Sequence, residues 1–91
     1  MTNNVTDNKA KTRYELEVDG QTVFANYRID GQTVFINYVE APPALRGSGA
    51  AGKLMEGITA IARENDQKLH PICSYAVMWL QRHKEYADLL A

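Results

Sequence analysis

One phrase of nine residues occurs twice in this chain, as Asp19-Gly-Gln-Thr-Val-Phe-Ala-Asn-Tyr and, eleven residues later, as Asp30-Gly-Gln-Thr-Val-Phe-Ile-Asn-Tyr. In a chain of 91 residues no other feature limits the fold as much. Each copy opens on Asp-Gly, which supplies the positive φ angles of a tight hairpin turn. Each continues through a Thr-Val-Phe-x-Asn-Tyr run of the β-branched and aromatic residues that suit a pleated surface. Two copies are too few for a stacked solenoid. The simpler reading is a meander, with the first strand at Tyr14, Leu16 and Val18, which alternate with Glu15 and Glu17 at the period of a half-buried strand. Three antiparallel strands are predicted, at about 13–18, 22–29 and 33–40.

Pro42-Pro43 removes two backbone donors and ends the third strand, and Ala44 to Gly49 turns the chain into a helix. Along that helix Ala51, Leu54, Met55, Ile58, Ile61 and Ala62 fall on one face, while Glu56, Arg63 and Glu64 fall on the other. Asn65-Asp66 closes it. Lys68 to Cys73 suits a short buried strand, and Tyr75 to Leu90 is helical in pattern with a break near His83-Lys84. Met78, Trp79 and Tyr86 read as core on that last helix. The order is β-β-β-α-β-α, an α+β fold. Residues 1–11 are polar and lack apolar periodicity, so they are expected to form a flexible leader, with a single domain over 12–91.

Composition narrows the function. Hydrophobic residues make up 45% and charged residues 23%, which excludes the signature of disorder. A formal net charge of −1 argues against a broad nucleic-acid footprint. The single cysteine, Cys73, can form neither an internal disulfide nor a cysteine-based metal site. No apolar run approaches the ~20 residues of a membrane helix. The expectations are a cytoplasmic protein with no metal, no nucleic-acid partner and no membrane contact.

The turn at Gly47-Ser-Gly-Ala-Ala-Gly-Lys53 satisfies three phosphate-binding patterns at once. Their shared physics is a helix N-terminus whose unpaired N–H groups and dipole favour an anion, with small residues that let it approach. As a P-loop, G-x-x-x-x-G-K ends on Leu54 where Ser or Thr must hold Mg²⁺, and the antiparallel meander is the wrong sheet for it. As a dinucleotide fingerprint, Gly47-x-Gly49-x-x-Gly52 has the glycines, but the Pro-Pro-Ala-Leu-Arg insert separates them from the strand and too little chain remains after them. The third pattern is Arg-x-x-Gly-x-Ala, carried by Arg46, Gly49 and Ala51. It resembles the CoA pyrophosphate loop of the GNAT superfamily.

The resemblance extends beyond the loop. Pro43-Ala-Leu-Arg-Gly-Ser-Gly-Ala-Ala, Leu69-His-Pro-Ile-Cys-Ser-Tyr and Arg82-His-Lys-Glu-Tyr-Ala-Asp-Leu stand in the order found in small YjdJ-type N-acetyltransferase domains, and the similar stretch runs from about Phe35 to Leu89. Lys84 departs from the usual proline, and Ala50 and Gly52 are smaller than common choices. The resemblance implies a compact GNAT-like fold and transfer of an acetyl group from acetyl-CoA to a primary amine.

It also implies residue roles. The amides of Gly47, Ser48, Gly49, Ala50, Ala51 and Gly52 would cradle the pyrophosphate, with Arg46 and Lys53 adding charge and Arg82 meeting a CoA phosphate. Tyr38 or Val39 would offer a backbone N–H to the thioester oxygen, and Cys73 and Ser74 would lie at the thioester end. Cys73 can accept the acetyl group if its pKa is lowered, or serve as core. Tyr75 can protonate the leaving thiolate or stack on the pantetheine arm. His83 and His70 are candidate bases, with solvated histidine as the plain alternative, and Glu40 can act through water. The acceptor is an amine-bearing small molecule or protein, and the chain is expected to be a monomer or weak homodimer. A non-catalytic acyl-CoA-binding regulatory or interaction module is the competing reading.

Overall fold

The computed structural model describes residues 4–91. Five strands form one sheet in sequence order: β1 (Thr6–Asn8), β2 (Arg13–Val18), β3 (Gln21–Asp30), β4 (Thr33–Glu40) and β5 (Lys68–Pro71). The first four are antiparallel neighbours and β5 runs parallel to β4. A 3₁₀ turn at Pro43–Leu45 leads into α1 (Ala50–Glu64), which makes the crossover between β4 and β5. Helix α2 (Ser74–Arg82) and a 3₁₀ helix at Lys84–Leu89 complete the α+β fold, with the break falling at His83 as predicted.

The meander forms as the repeated phrase requires, but its two Asp-Gly pairs make different turns. Asp19 and Gly20 both take positive φ, at 51° and 76°, the two-residue loop that matches the twist of flanking strands. In the second copy Asp30 stays in the strand opposite Thr33, and Gly31 alone is left-handed, at 62°. The loop there is Gly31-Gln32, one residue later than in the first copy.

The inward side chains follow the strand alternation. Tyr14, Leu16, Val23, Ala25, Tyr27, Val34, Ile36 and Leu69 are buried and meet Leu54, Met55, Ile58 and Ala62 of α1 in one core. Burying each Leu- or Ile-sized side chain contributes about 1.5–3 kcal/mol. Helix α1 stops where Asp66 turns left-handed at φ 59°, with Gln67 N–H donating to Ala62 O at 2.8 Å and Asp66 N–H to Arg63 O at 3.3 Å. These two bonds satisfy the last carbonyls of the helix in the manner of a Schellman motif, with Asp where glycine is commonest.

Three expectations need correction. Thr6–Asn8 lies within the expected leader yet pairs with β2 through Asn8↔Arg13 and Thr6↔Glu15, and Val5 beside it is buried. One apolar residue plus ladder hydrogen bonds suffices there, and Tyr27 Oη donates to Asp7 Oδ1 at 2.5 Å to fasten the strand. The first part of the expected leader, residues 1–3, lies outside the described residues. Strand β5 ends at Pro71, so Ile72 and Cys73 are not part of it, and Ile72 is exposed. Met78 is also exposed rather than core, because α2 turns only Ala76, Trp79 and Leu80 fully inward.

Candidate functional site

The strand pair β4–β5 opens like a fork. Pairing holds from Thr33↔Lys68 to Ile36↔Pro71 and then stops. The carbonyl of Ile36 accepts both the Ile72 N–H, at 2.9 Å, and the Cys73 N–H, at 3.2 Å, which ends the ladder and swings the chain into α2. At the same level β4 carries a bulge: Tyr27 pairs with Ile36 and Asn26 with Tyr38, leaving Asn37 without an opposite residue. Bulges bend a strand and increase its twist. Beyond the bulge, Tyr38 to Glu40 keep β3 on one side and have no strand on the other.

The glycine turn packs into that fork. Gly47 and Gly49 are left-handed, at φ 81° and 86°, and an added Cβ at either would meet nothing within 4 Å. Gly49 is the N-cap of α1 and gives no side-chain cap, and no acidic residue occupies the first turn. Lys53 N–H closes on Gly49 O at 3.1 Å, and Ala50 N–H reaches Ser48 Oγ at 3.3 Å. The Ala51 and Gly52 amides have no acceptor among the described residues, so two donors at the positive end of a 15-residue helix stay available.

These parts enclose one cavity of about 410 Å³. Its walls are Tyr38, Val39 and Glu40 from β4, Ala41 just past the strand end, Leu45 to Gly47 and Gly49 to Ala51 from the turn, and Tyr75 from α2. Arg46 is exposed at the rim, anchored by Nε donating to Ala41 O at 3.0 Å. Tyr38 Oη donates to Glu40 Oε1, and the carboxylate beside it holds the phenol pKa up. Burial raises the Tyr75 phenol as well, keeping it protonated near neutrality. Cys73 stands at the root of the fork, half-buried against the core, as the N-cap of α2. It does not line the cavity.

The sequence points to Tyr38, Val39, Glu40, Arg46, Gly47, Gly49, Ala50, Ala51 and Tyr75, and the structure brings all nine together. Ser48 supports the turn from within, its hydroxyl donating to Leu45 O at 2.5 Å. Gly52 faces α2 instead: an added Cβ would sit 3.3 Å from Trp79 Nε1 and 3.9 Å from Tyr75 Oη. Lys53 lines a second groove with Glu56, Gly57 and Ala60, on another side of α1. Ser74 is exposed in the first turn of α2, and Arg82 is exposed at its far end. His83 also lies at that end, stacked on Trp79 with ring centroids 3.9 Å apart and Nδ1 2.8 Å from Trp79 O. His70 lies on the sheet face against Phe35, at 5.1 Å. Leu45 and Ala41 were missed as wall residues; the Pro-Pro turn folds them inward, and no local pattern announces that.

A fork between two strands, an uncapped helix N-terminus and a glycine turn in one cavity match a known architecture. A sequence profile of the GCN5-related N-acetyl-transferase family matches residues 13–89. The chain belongs to that family. The fold agrees: the solution structure of a GCN5-like protein from Staphylococcus aureus superposes with a TM-score of 0.70 at 22% identity, over 100% of this chain and 91% of the other. No curated protein matches the chain in sequence. As a GNAT domain it is an acetyltransferase, built on a sheet with a helix-bearing face and a fork at one end. Among the described residues no group of His, Cys, Asp and Glu is placed to hold a metal ion, and no helix is long and apolar enough to cross a membrane.

Proposed function

We propose that this GNAT domain transfers the acetyl group of acetyl-CoA to a primary amine, with the fork cavity as the site. The observation that carries the reading is the convergence, in one cavity, of the uncapped N-terminus of α1 with the unpaired end of β4. The first arrangement suits the pyrophosphate of CoA, and the second suits a thioester threaded between strands. The residues present fit the cosubstrate: both left-handed glycines leave open space where a side chain would stand, and the Ala51 and Gly52 amides are free to donate.

In this reading Arg46 supplies charge at the rim. An amide of Tyr38 or Val39 donates to the thioester oxygen as negative charge develops there. Glu40 accepts the proton of the incoming ammonium, directly or through water, and the freed nitrogen forms the new C–N bond as the C–S bond breaks. Tyr75 holds the proton that the leaving sulfur takes. Cys73 sits close enough to the fork to serve as a relay nucleophile, in which case its acetyl thioester forms first and the amine attacks second. His83 is engaged by Trp79 away from the cavity and takes no part.

Calorimetric titration with acetyl-CoA, followed by thiol release with a panel of amines, tests the proposal. Binding with amine-dependent release supports it. Binding with no release for any amine supports the silent acyl-CoA-binding module, and absence of binding overturns both. Intact mass after mixing, with and without Cys73→Ala, separates direct transfer from relay through the thiol.

A further inference from the structure

Strand register fixes the side from which an acceptor reaches the fork. Val23, Ala25, Val34 and Ile36 enter the core together with both helices, so Phe24, Asn26 and Phe35, which alternate with them, project to the opposite face of the sheet. Pairing sets Tyr38 beside Asn26 and Glu40 beside Phe24 on that same outer face. No element among the described residues lies over it. With α1, α2 and the glycine turn on the inner side, an incoming amine meets the thioester from the outer one.

Two guanidinium groups lie over phenylalanine rings on this face, and they differ. Arg13 stands 4.6 Å over Phe24 and is answered by Glu15 at 2.5 Å. Arg28 stands 4.1 Å over Phe35, with the His70 ring of the neighbouring strand 5.1 Å from the same phenylalanine. It has no carboxylate partner among the described residues, and Asp30, two residues further along β3, forms no ion pair with it. Stacking on an aromatic ring holds a guanidinium in place without neutralising it, so Arg28 presents positioned donors that nothing in the fold uses.

This unanswered cation lies near the fork. Arg28 pairs with Phe35, whereas Asn26, two residues nearer the open end, pairs with Tyr38. That step is about 7 Å. Glu40 lies two residues beyond, at the level of Phe24. Charge therefore changes in order along the face, from a carboxylate at the cavity to a cation about 13 Å away, with the neutral pair Asn26 and Tyr38 between them. Tyr38 and Ile72, one on each arm of the fork, are large apolar-bodied side chains left exposed.

We infer that the acceptor is an amine carrying an acidic group, a carboxylate or a phosphate, which Arg28 holds with His70 while the nitrogen stands at the fork beside Glu40 and Tyr38. The inference rests on the acetyl-transfer reading and narrows its substrate class. The register sets the reach, about 7 Å from nitrogen to acid, the length of an extended ω-amino acid such as δ-aminovalerate. Tyr38 and Ile72 give the carbon chain between the two ends an apolar bed. Arg28 selects the acceptor by its far end and takes no part in the bond changes at the thioester.

Thiol release across matched acceptors tests it: δ-aminovalerate, its uncharged amide, aminobutylphosphonate, and glycine as a free amino acid too short to span the distance. Both long acids are expected to exceed the amide in kcat/KM by about tenfold or more, through KM, and glycine to show no such advantage. The better of the two acids names the group. The preference shrinks as salt is added, because it is carried by charge. Arg28→Gln brings the acid-to-amide ratio toward one, and Arg28→Lys keeps part of it. Should Arg28→Gln fail to fold, the salt series on wild type replaces it, and a preference that salt leaves unchanged overturns the inference. Amines acetylated with no preference for the long acids, or a ratio that Arg28→Gln leaves intact, overturn it while acetyl transfer stands. Acetyl-CoA binding with no release to any amine overturns both.

Discussion

Replacing Gly49 by alanine isolates the backbone term on which the helix N-terminus depends. Gly49 sits at φ 86°, ψ 4°, and an added Cβ would meet nothing within 4 Å, so no steric clash enters. An L-residue held left-handed costs about 1–2 kcal/mol. Against this, alanine narrows the unfolded ensemble and returns about 0.4–1 kcal/mol. The net expectation is a loss of about 1 kcal/mol, which in a domain of this size lowers Tm by about 4–8 °C. Thermal unfolding followed by far-UV circular dichroism reads the shift, and urea unfolding with an unchanged m-value shows that the native state and not its cooperativity moved. Gly47→Ala, at φ 81° with equally open space, should lose a similar amount. A variant as stable as the parent would refute the left-handed N-cap, and a loss above about 3 kcal/mol would mean that packing, which this geometry lacks, had been disturbed.

Gly52→Ala tests the other side of the same turn: alanine gains about 1 kcal/mol of helix propensity, but its Cβ sits 3.3 Å from Trp79 Nε1, so stability should change by less than that gain, with Trp79 fluorescence shifted. Leu54→Ala, at a fully buried position under the sheet, should cost about 2–5 kcal/mol by chemical denaturation. Tyr27 predicts a pH dependence. Burial and the hydrogen bond to Asp7 raise its pKa from 10.0 to about 12, so the stabilisation is full below pH 10 and is lost as pH climbs toward 12. Tyr27→Phe should flatten that part of the alkaline stability profile. Tyr75→Phe should leave acetyl-CoA binding by calorimetry intact while slowing thiol release about 10²-fold or more, the usual scale of a lost general acid.

What could be read from the sequence was whatever periodicity or backbone chemistry encodes. The meander came from a repeated phrase with a turn at each start, α1 from six apolar residues on one face, and the glycine turn from small residues that let an anion approach a helix N-terminus. The misses are equally physical. Strand β1 contains no apolar alternation; Val5 and the Tyr27–Asp7 bond hold it, and both depend on partners distant in sequence. Lys53 was grouped with the phosphate cradle because it comes directly after the glycines, yet residues four apart on a helix share a face, and Lys53 shares its own with Gly57. His83 read as a possible base for its type alone, while its stacking on Trp79 is set by the turn that ends α2.

The instructive failure lies inside the repeat. Tyr27 and Tyr38 close the two copies of the phrase, and a strict period of two would put both rings on the same face. Instead Tyr27 is 7% exposed and bonded to Asp7, whereas Tyr38 is 50% exposed and bonded to Glu40. The cause is the unpaired Asn37: one extra residue in β4 reverses the alternation of everything after it, as a one-residue register slip would. Nothing in the phrase itself distinguishes the copies at that point, since Asn-Tyr is common to both. The difference comes from the neighbours. In β3, Phe24 to Asn26 pair with both β2 and β4 and the Tyr27 N–H donates to Thr12 O at 3.0 Å, while β4 loses β5 at Pro71, where the Ile36 carbonyl takes two amides and the strand is free to bulge. The same local event that opens the fork therefore turns Tyr38 and Glu40 outward to its rim, so a duplicated sequence yields one structural tyrosine and one at the candidate site.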